Sequence, residues 1–157
     1  MDTGLAAWDM KIYYDFIRPV TLFRQGVPPN PYIIGPDSLH DQSWTSTITT
    51  PNFQEYPSGH SSFSACAAQI LSWVFGRNVK FTVPAHPSIA SSLTNTSRSF
   101  TSFRQAAEDA GRSRIFGGVH FSFSNVDGQL TCTSVANHVL SVFSSRTFDP
   151  FPSCPNL

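Results

Sequence analysis

The chain has 157 residues, 40% of them apolar and only 13% charged, with ten basic residues against ten acidic ones. That length suits one domain rather than two, and the composition supports a buried core and excludes disorder as the ground state. Zero net charge leaves no electrostatic basis for binding nucleic acid or an anionic membrane surface, and no apolar run reaches the roughly 18 to 20 residues of a membrane helix.

The N-terminus, Met1-Asp2-Thr3-Gly4, carries an acid where a secretory leader needs basic residues, and no long apolar segment follows. A soluble chain with no visible signal peptide is therefore expected. Leu5, Trp8, Ile12 and Phe16 recur at helical spacing and predict a helix over 4–18, ended or kinked by Pro19. Residues 19–57 carry Pro28, Pro29, Pro31, Pro36, Pro51 and Pro57 and read as a long irregular connection over the surface. A loop of that length in a small domain is often functional. The clearest helix is 59–75, with Phe63, Ala67, Ile70 and Val74 as its apolar stripe and Gly76 as its stop. Residues 77–98, with Pro84 and Pro87, read as a second irregular stretch. A helix over 99–116 follows, with Phe103, Ala106, Ala107 and Ala110 inward and Gly117-Gly118 breaking it. Ser124-Asn125-Val126-Asp127 resembles a capping box and opens a last helix of Leu130, Val135, Val139 and Val142. Strand patterns are weak. The expected fold is all-α, about four main helices joined by long loops over 1–146, with a loose Pro-rich tail over 147–157.

Cys66, Cys132 and Cys154 match no zinc pattern. The first two read as buried small hydrophobes, and Cys154 in the tail is left open to pairing within a larger protein. The sequon Asn95-Thr96-Ser97 says little about compartment.

Three blocks carry chemistry. Lys11 and Arg18, seven apart on the predicted first helix, would project from one face about 10 Å apart. Asp15 between them offers a plain ion-pair alternative. In Tyr56-Pro57-Ser58-Gly59-His60, Gly59 lets a backbone N–H approach a ligand and Ser58 offers a hydroxyl. The helix start supplies an anion site, and His60 stands where it can give or take a proton. The alternative is that Ser58 only caps the helix and His60 is surface. In the third block the Gly117-Gly118 break can bring Arg114 and His120 together, a guanidinium being suited to a bidentate grip on an oxyanion. The alternative is a solvated Arg114 and a core His120. Three cations, hydroxyl and N–H donors and two imidazoles together match what a desolvated tetrahedral oxyanion requires.

In order, Lys-x6-Arg-Pro, Pro-Ser-Gly-His and Ser-Arg-x5-His resemble the signature of the type 2 phosphatidic acid phosphatase (PAP2) and vanadium haloperoxidase superfamily, from Lys11 to His120. The string from Thr50 through Phe53 to His60, and Arg114-Ile115-Phe116-Gly117-Gly118-Val119-His120, look like its haloperoxidase branch. The resemblance implies an incomplete helical bundle of that type, with Lys11, Arg18, Ser58, Gly59 and Arg114 holding the vanadate cofactor. It implies His120 as the one bond to vanadium, and His60 as the group acting in acid–base steps. Phe53 falls near the halide. The implied partners are hydrogen peroxide and halide; homo-oligomer formation is left open.

Phosphate can occupy the same site. In the phosphatase branch the residue matching His120 attacks phosphorus and that matching His60 protonates the leaving group, so a soluble acid phosphatase acting on a phosphate ester is the alternative. The pattern often has Asp four residues after the second histidine, where this chain has Ser124, and Asp127 reads rather as a helix cap. That loss removes the carboxylate expected to orient His120. The family's further upstream helices imply that this chain is the C-terminal part of such a protein, with the partner of His60 lying elsewhere. A non-catalytic fragment that keeps the oxyanion residues is the third reading.

Overall fold

The computed structural model describes residues 1–25, 40–85 and 96–145. Among these, five helices and one small hairpin follow in order: α1 (Asp2–Tyr14), α2 (Pro19–Gln25), α3 (Gly59–Phe75), β1 (Phe81–Pro84), β2 (Ser97–Phe100), α4 (Phe103–Phe116) and α5 (Ser122–Ser145). The helical expectation holds, and no described helix is long and apolar enough to cross a membrane. The tail over 147–157, with Cys154, lies outside the described residues, as do Asn95, Pro87 and the four prolines from Pro28 to Pro36.

The first helix is shorter than its apolar spacing predicts. It stops at Tyr14 because Asp15 takes a left-handed conformation at φ 40°, and the Asp15 N–H closes on Lys11 O. Aspartate tolerates that region better than most side chains. Pro19 does not end a helix but begins α2, where its missing N–H costs nothing. Lys11 and Arg18 therefore do not share a helix face, and Asp15 is exposed with no ion pair to either.

Helix α3 starts on Ser58, whose side chain accepts from the Ser61 N–H at 3.4 Å, and ends at Gly76 with φ 96°. Helix α4 begins at Phe103, not 99, since Ser97–Phe100 pairs antiparallel with Phe81–Pro84. Short alternating segments of this kind give little periodic signal. Ser102 caps α4 by accepting from the Gln105 N–H at 3.1 Å, and Gln105 Oε1 accepts from the Thr101 N–H at 2.8 Å. Helix α5 opens at Ser122, two residues before the predicted cap. Asp127 instead accepts from the Tyr56 hydroxyl at 3.1 Å.

Helix α3 packs between α4 and α5, and α1 lies across α5 and α3. The interfaces are built from small residues. Ala7, Ala65, Ala68, Ala107, Val119, Cys132 and Ala136 are buried, whereas Leu5, Trp8, Ile12, Phe63 and Val74 are exposed. The predicted apolar stripes of the first helix and of 59–75 thus face largely outward. Side chains smaller than leucine let the backbones approach closely: the buried residues of α3 are Ser61, Ser62, Ala65 and Ala68, and those of α1 are Thr3 and Ala7 together with Lys11. The glycines of α4 and α5 belong to the same contact. A Cβ at Gly111 would fall 2.1 Å from Asn125 Oδ1, and one at Gly128 would fall 3.0 Å from Ser58 O.

Candidate active site

The segment leading into α3 is the floor of the site. It is pinned at both ends by backbone bonds, Glu55 N–H to Phe16 O at 2.9 Å and Ser58 N–H to Ser124 O at 3.1 Å, and it contains a cis Tyr56–Pro57 bond. Lys11 reaches it from the last turn of α1 and is fully buried. Its ammonium donates to Gln54 O at 2.8 Å, Glu55 O at 3.1 Å and Pro57 O at 2.6 Å. Arg18, in the short link before α2, donates from Nε to Phe53 O at 2.9 Å and from Nη2 to Gln54 O at 3.1 Å. Its Nη1 donates to Val119 O at 2.8 Å and lies 3.1 Å from His120 Nε2. The ring of Phe53 lies beneath both cations, 5.2 Å from Lys11 Nζ and 5.0 Å from Arg18 Cζ. Trp8 backs that ring at 5.7 Å.

Two cations this close and this buried lose part of their hold on their protons. Burial, followed by the charge of Arg18, brings Lys11 down to about 8 despite the opposing pull of Glu55. Burial also brings Arg18 down to about 10, with Glu55 opposing and Arg114 assisting.

The double glycine after α4 delivers His120. Gly118 takes φ 73°, and the Val119 N–H turns back to Arg114 O at 3.1 Å. A Cβ at Gly117 would strike Ile48 and one at Gly118 would crowd Trp44, so this turn sits tight against the 44–48 segment. His120 is then buried between Arg18 and Glu55, with Nδ1 2.7 Å from Glu55 Oε1. The same oxygen accepts from the Phe121 N–H at 2.9 Å. Burial holds the His120 pKa below the usual imidazole range, and the Glu55 hydrogen bond and charge offset this only in part. The lowered pKa favours the neutral ring. Nε2 faces a guanidinium that can only donate, so Nε2 carries the lone pair and Nδ1 the hydrogen.

Arg114 is half-buried at the end of α4, and its Nε is buried without a partner. Burial lowers its pKa. His60 stands exposed on the first turn of α3 and makes no hydrogen bond among the described residues. Its pKa is lowered by partial burial and then by the charge of Arg114. Ser58 is turned inward as the α3 cap, with Ser61 Oγ 2.8 Å from its hydroxyl and 2.6 Å from Asn125 Oδ1. A Cβ at Gly59 would meet nothing within 4 Å, leaving the N-terminal turn of α3 open on that side.

A family model described as VCPO second helical-bundle domain matches residues 1–148. The chain belongs to that family. Its fold is shared with a bacterial vanadium-dependent iodoperoxidase, at 32% identity and a TM-score of 0.71 over 88% of this chain. Two structures of bacterial vanadium-dependent chloroperoxidase, one holo-type and one apo-type, share the fold at 23% and 21% identity with TM-scores of 0.59 and 0.62, over 87% and 89% of this chain. This VCPO-type domain spans 30%, 33% and 34% of those solved chains. No curated protein matches.

Of the residues singled out in sequence, Lys11, Arg18, Phe53 and His120 form one connected cluster in this VCPO-type domain, and Arg114 bears on Arg18 and on His60 through its charge. Ser58 serves the helix, and Ser124, at the position where a carboxylate is expected, is buried with its hydroxyl unpartnered. The residue that sequence reasoning missed is Glu55. Its signal was available: Glu55 is the sole acid between Asp41 and Glu108, three residues before the Ser-Gly turn.

Proposed function

We propose that this domain forms the vanadate-binding core of a haloperoxidase, acting on hydrogen peroxide and a halide. The observation that carries the reading is the buried His120, its Nε2 3.1 Å from the Arg18 guanidinium within a buried cationic cluster. The donor set fits a tetrahedral oxyanion in three further respects. Arg114 Nε is a buried donor without a partner, the space beside Gly59 is open, and Arg18 and Lys11 both bear on His120 through their charge.

On this reading Arg18, Arg114, Lys11 and the Gly59 N–H hold the oxyanion, and His120 Nε2 is the ligand to vanadium. Bound vanadate supplies a Lewis acid that activates peroxide toward halide without changing its own oxidation level. Arg18 neutralises charge and releases Nε2 to the ligand by exchanging one hydrogen bond. Lys11 acts mainly through its charge and through the carbonyls it holds, since each of its N–H groups already has an acceptor. His60, exposed and with a lowered pKa, is the group free to take and return a proton. Phe53 shields the two cations and lines the approach for a halide.

One observation favours a second reading. A nucleophilic histidine needs a carboxylate behind it, and Glu55 provides one at 2.7 Å. A phosphatase using His120 on a phosphate ester therefore stands as the alternative.

The purified protein distinguishes them in one assay set. Dye bromination or iodination with orthovanadate and peroxide, abolished in His120→Ala, supports the haloperoxidase. Release of nitrophenol from its phosphate ester, inhibited by vanadate, supports the phosphatase. Absence of both activities from a folded chain overturns both readings for this domain.

A further inference from the structure

We propose that Glu55 is the positioning residue of this site, fixing the tautomer and orientation in which His120 meets an oxyanion. This rests on the oxyanion reading above. Glu55 is fully buried, and its carboxylate does not neutralise a single cation by direct contact; the Lys11 ammonium bonds its backbone carbonyl instead. Oε1 gathers the imidazole Nδ1–H and the Phe121 N–H onto one atom, while Oε2 is buried without a partner. A buried carboxylate oxygen left unpaired is costly, so stability alone gives no reason to keep an acid here.

The geometry supplies a reason. His120 presents Nε2 to the cations only if Nδ1 keeps its hydrogen, and a carboxylate at 2.7 Å is the strongest acceptor available to hold it there. The second bond, to the Phe121 amide, sets the ring plane relative to its own backbone. Glu55 also belongs to the segment whose carbonyls carry Lys11 and Arg18. One residue thus ties the cation-bearing segment to the ligand-bearing turn, and both halves of the site move together.

The test uses the full chain with Glu55→Gln and Glu55→Met, each checked for folding by circular dichroism. Long-range proton–nitrogen correlation NMR reads the His120 tautomer without any ligand, and calorimetric titration reads orthovanadate affinity. The wild type is expected to show hydrogen on Nδ1 alone. Glu55→Gln keeps an acceptor but not the charge: Nδ1–H persists while vanadate affinity falls about ten- to a hundredfold. Glu55→Met loses both, and its His120 populates the Nε2–H form. Hydrogen on Nε2 in the wild type overturns the proposal, as does a folded Glu55→Met that keeps a pure Nδ1–H form. Should Glu55→Met not fold, Glu55→Gln decides, and wild-type vanadate affinity there overturns the proposal. A wild type that binds no vanadate but shows the expected tautomers refutes the oxyanion reading and leaves the orienting contact standing.

Discussion

Lys11 is the side chain whose surroundings differ most from a surface lysine. It is fully buried and distributes three N–H groups over three carbonyls, which is why a single methylene chain from α1 can fix the whole 54–57 segment. Lys11→Met unpairs those carbonyls together and is expected to cost about 3 kcal/mol in a urea melt, against about 0.5 for a solvated lysine. The two site histidines make a second prediction. Both have folded pKa values below 6.5, so on acidification the unfolded chain binds protons first. Their contribution is present above that value and is lost as pH falls through the folded values. Melting temperature should drop from about pH 7 to about pH 5, and His60→Asn and His120→Asn should each flatten that drop. The convergence of Lys11, Arg18 and His120 was legible in the sequence because the three blocks together match what one desolvated oxyanion requires. Glu55 was not, because a contact between residues 65 apart leaves no local spacing to read.

At the level of helices, periodicity located the elements and misassigned their faces. Leucine, tryptophan and isoleucine in α1 mark a stripe, yet its buried residues are Thr3, Ala7 and Lys11. The hydrophobic pattern cannot tell a face that packs within the domain from one that lies on its outside. Close packing on alanine, serine and glycine decides the matter, and it also explains why the turn before α3 is so firmly held. Gly111→Ala forces a methyl group into Asn125, and Gly128→Ala forces one toward the Ser58 carbonyl. Each is expected to cost about 1–3 kcal/mol in equilibrium unfolding. Gly59→Ala, with open space around it, should leave stability within about 1 kcal/mol, and on the proposed function should weaken vanadate binding. The hairpin escaped sequence reading because strands of four residues are too short to display a period.

For the molecule as a whole, several large apolar side chains of the described residues face outward: Leu5 is 68% exposed and Ile12 70%, with Phe75, Leu130 and Phe143 also outward. Contiguous apolar surface promotes association. The double variant Leu5→Gln/Ile12→Gln is expected to reduce self-association in sedimentation while leaving stability within about 0.5 kcal/mol. The cationic cluster lies on the other side of α1, on the face that carries Lys11, and its geometry is set by α1, the 53–58 segment and the 117–120 turn. Calorimetric titration with orthovanadate tests whether those pieces make one site. One saturable site per chain, competed by phosphate and lost in folded Arg18→Ala and His120→Ala, is the expected result. No saturable binding, or binding unchanged in those variants, would contradict it.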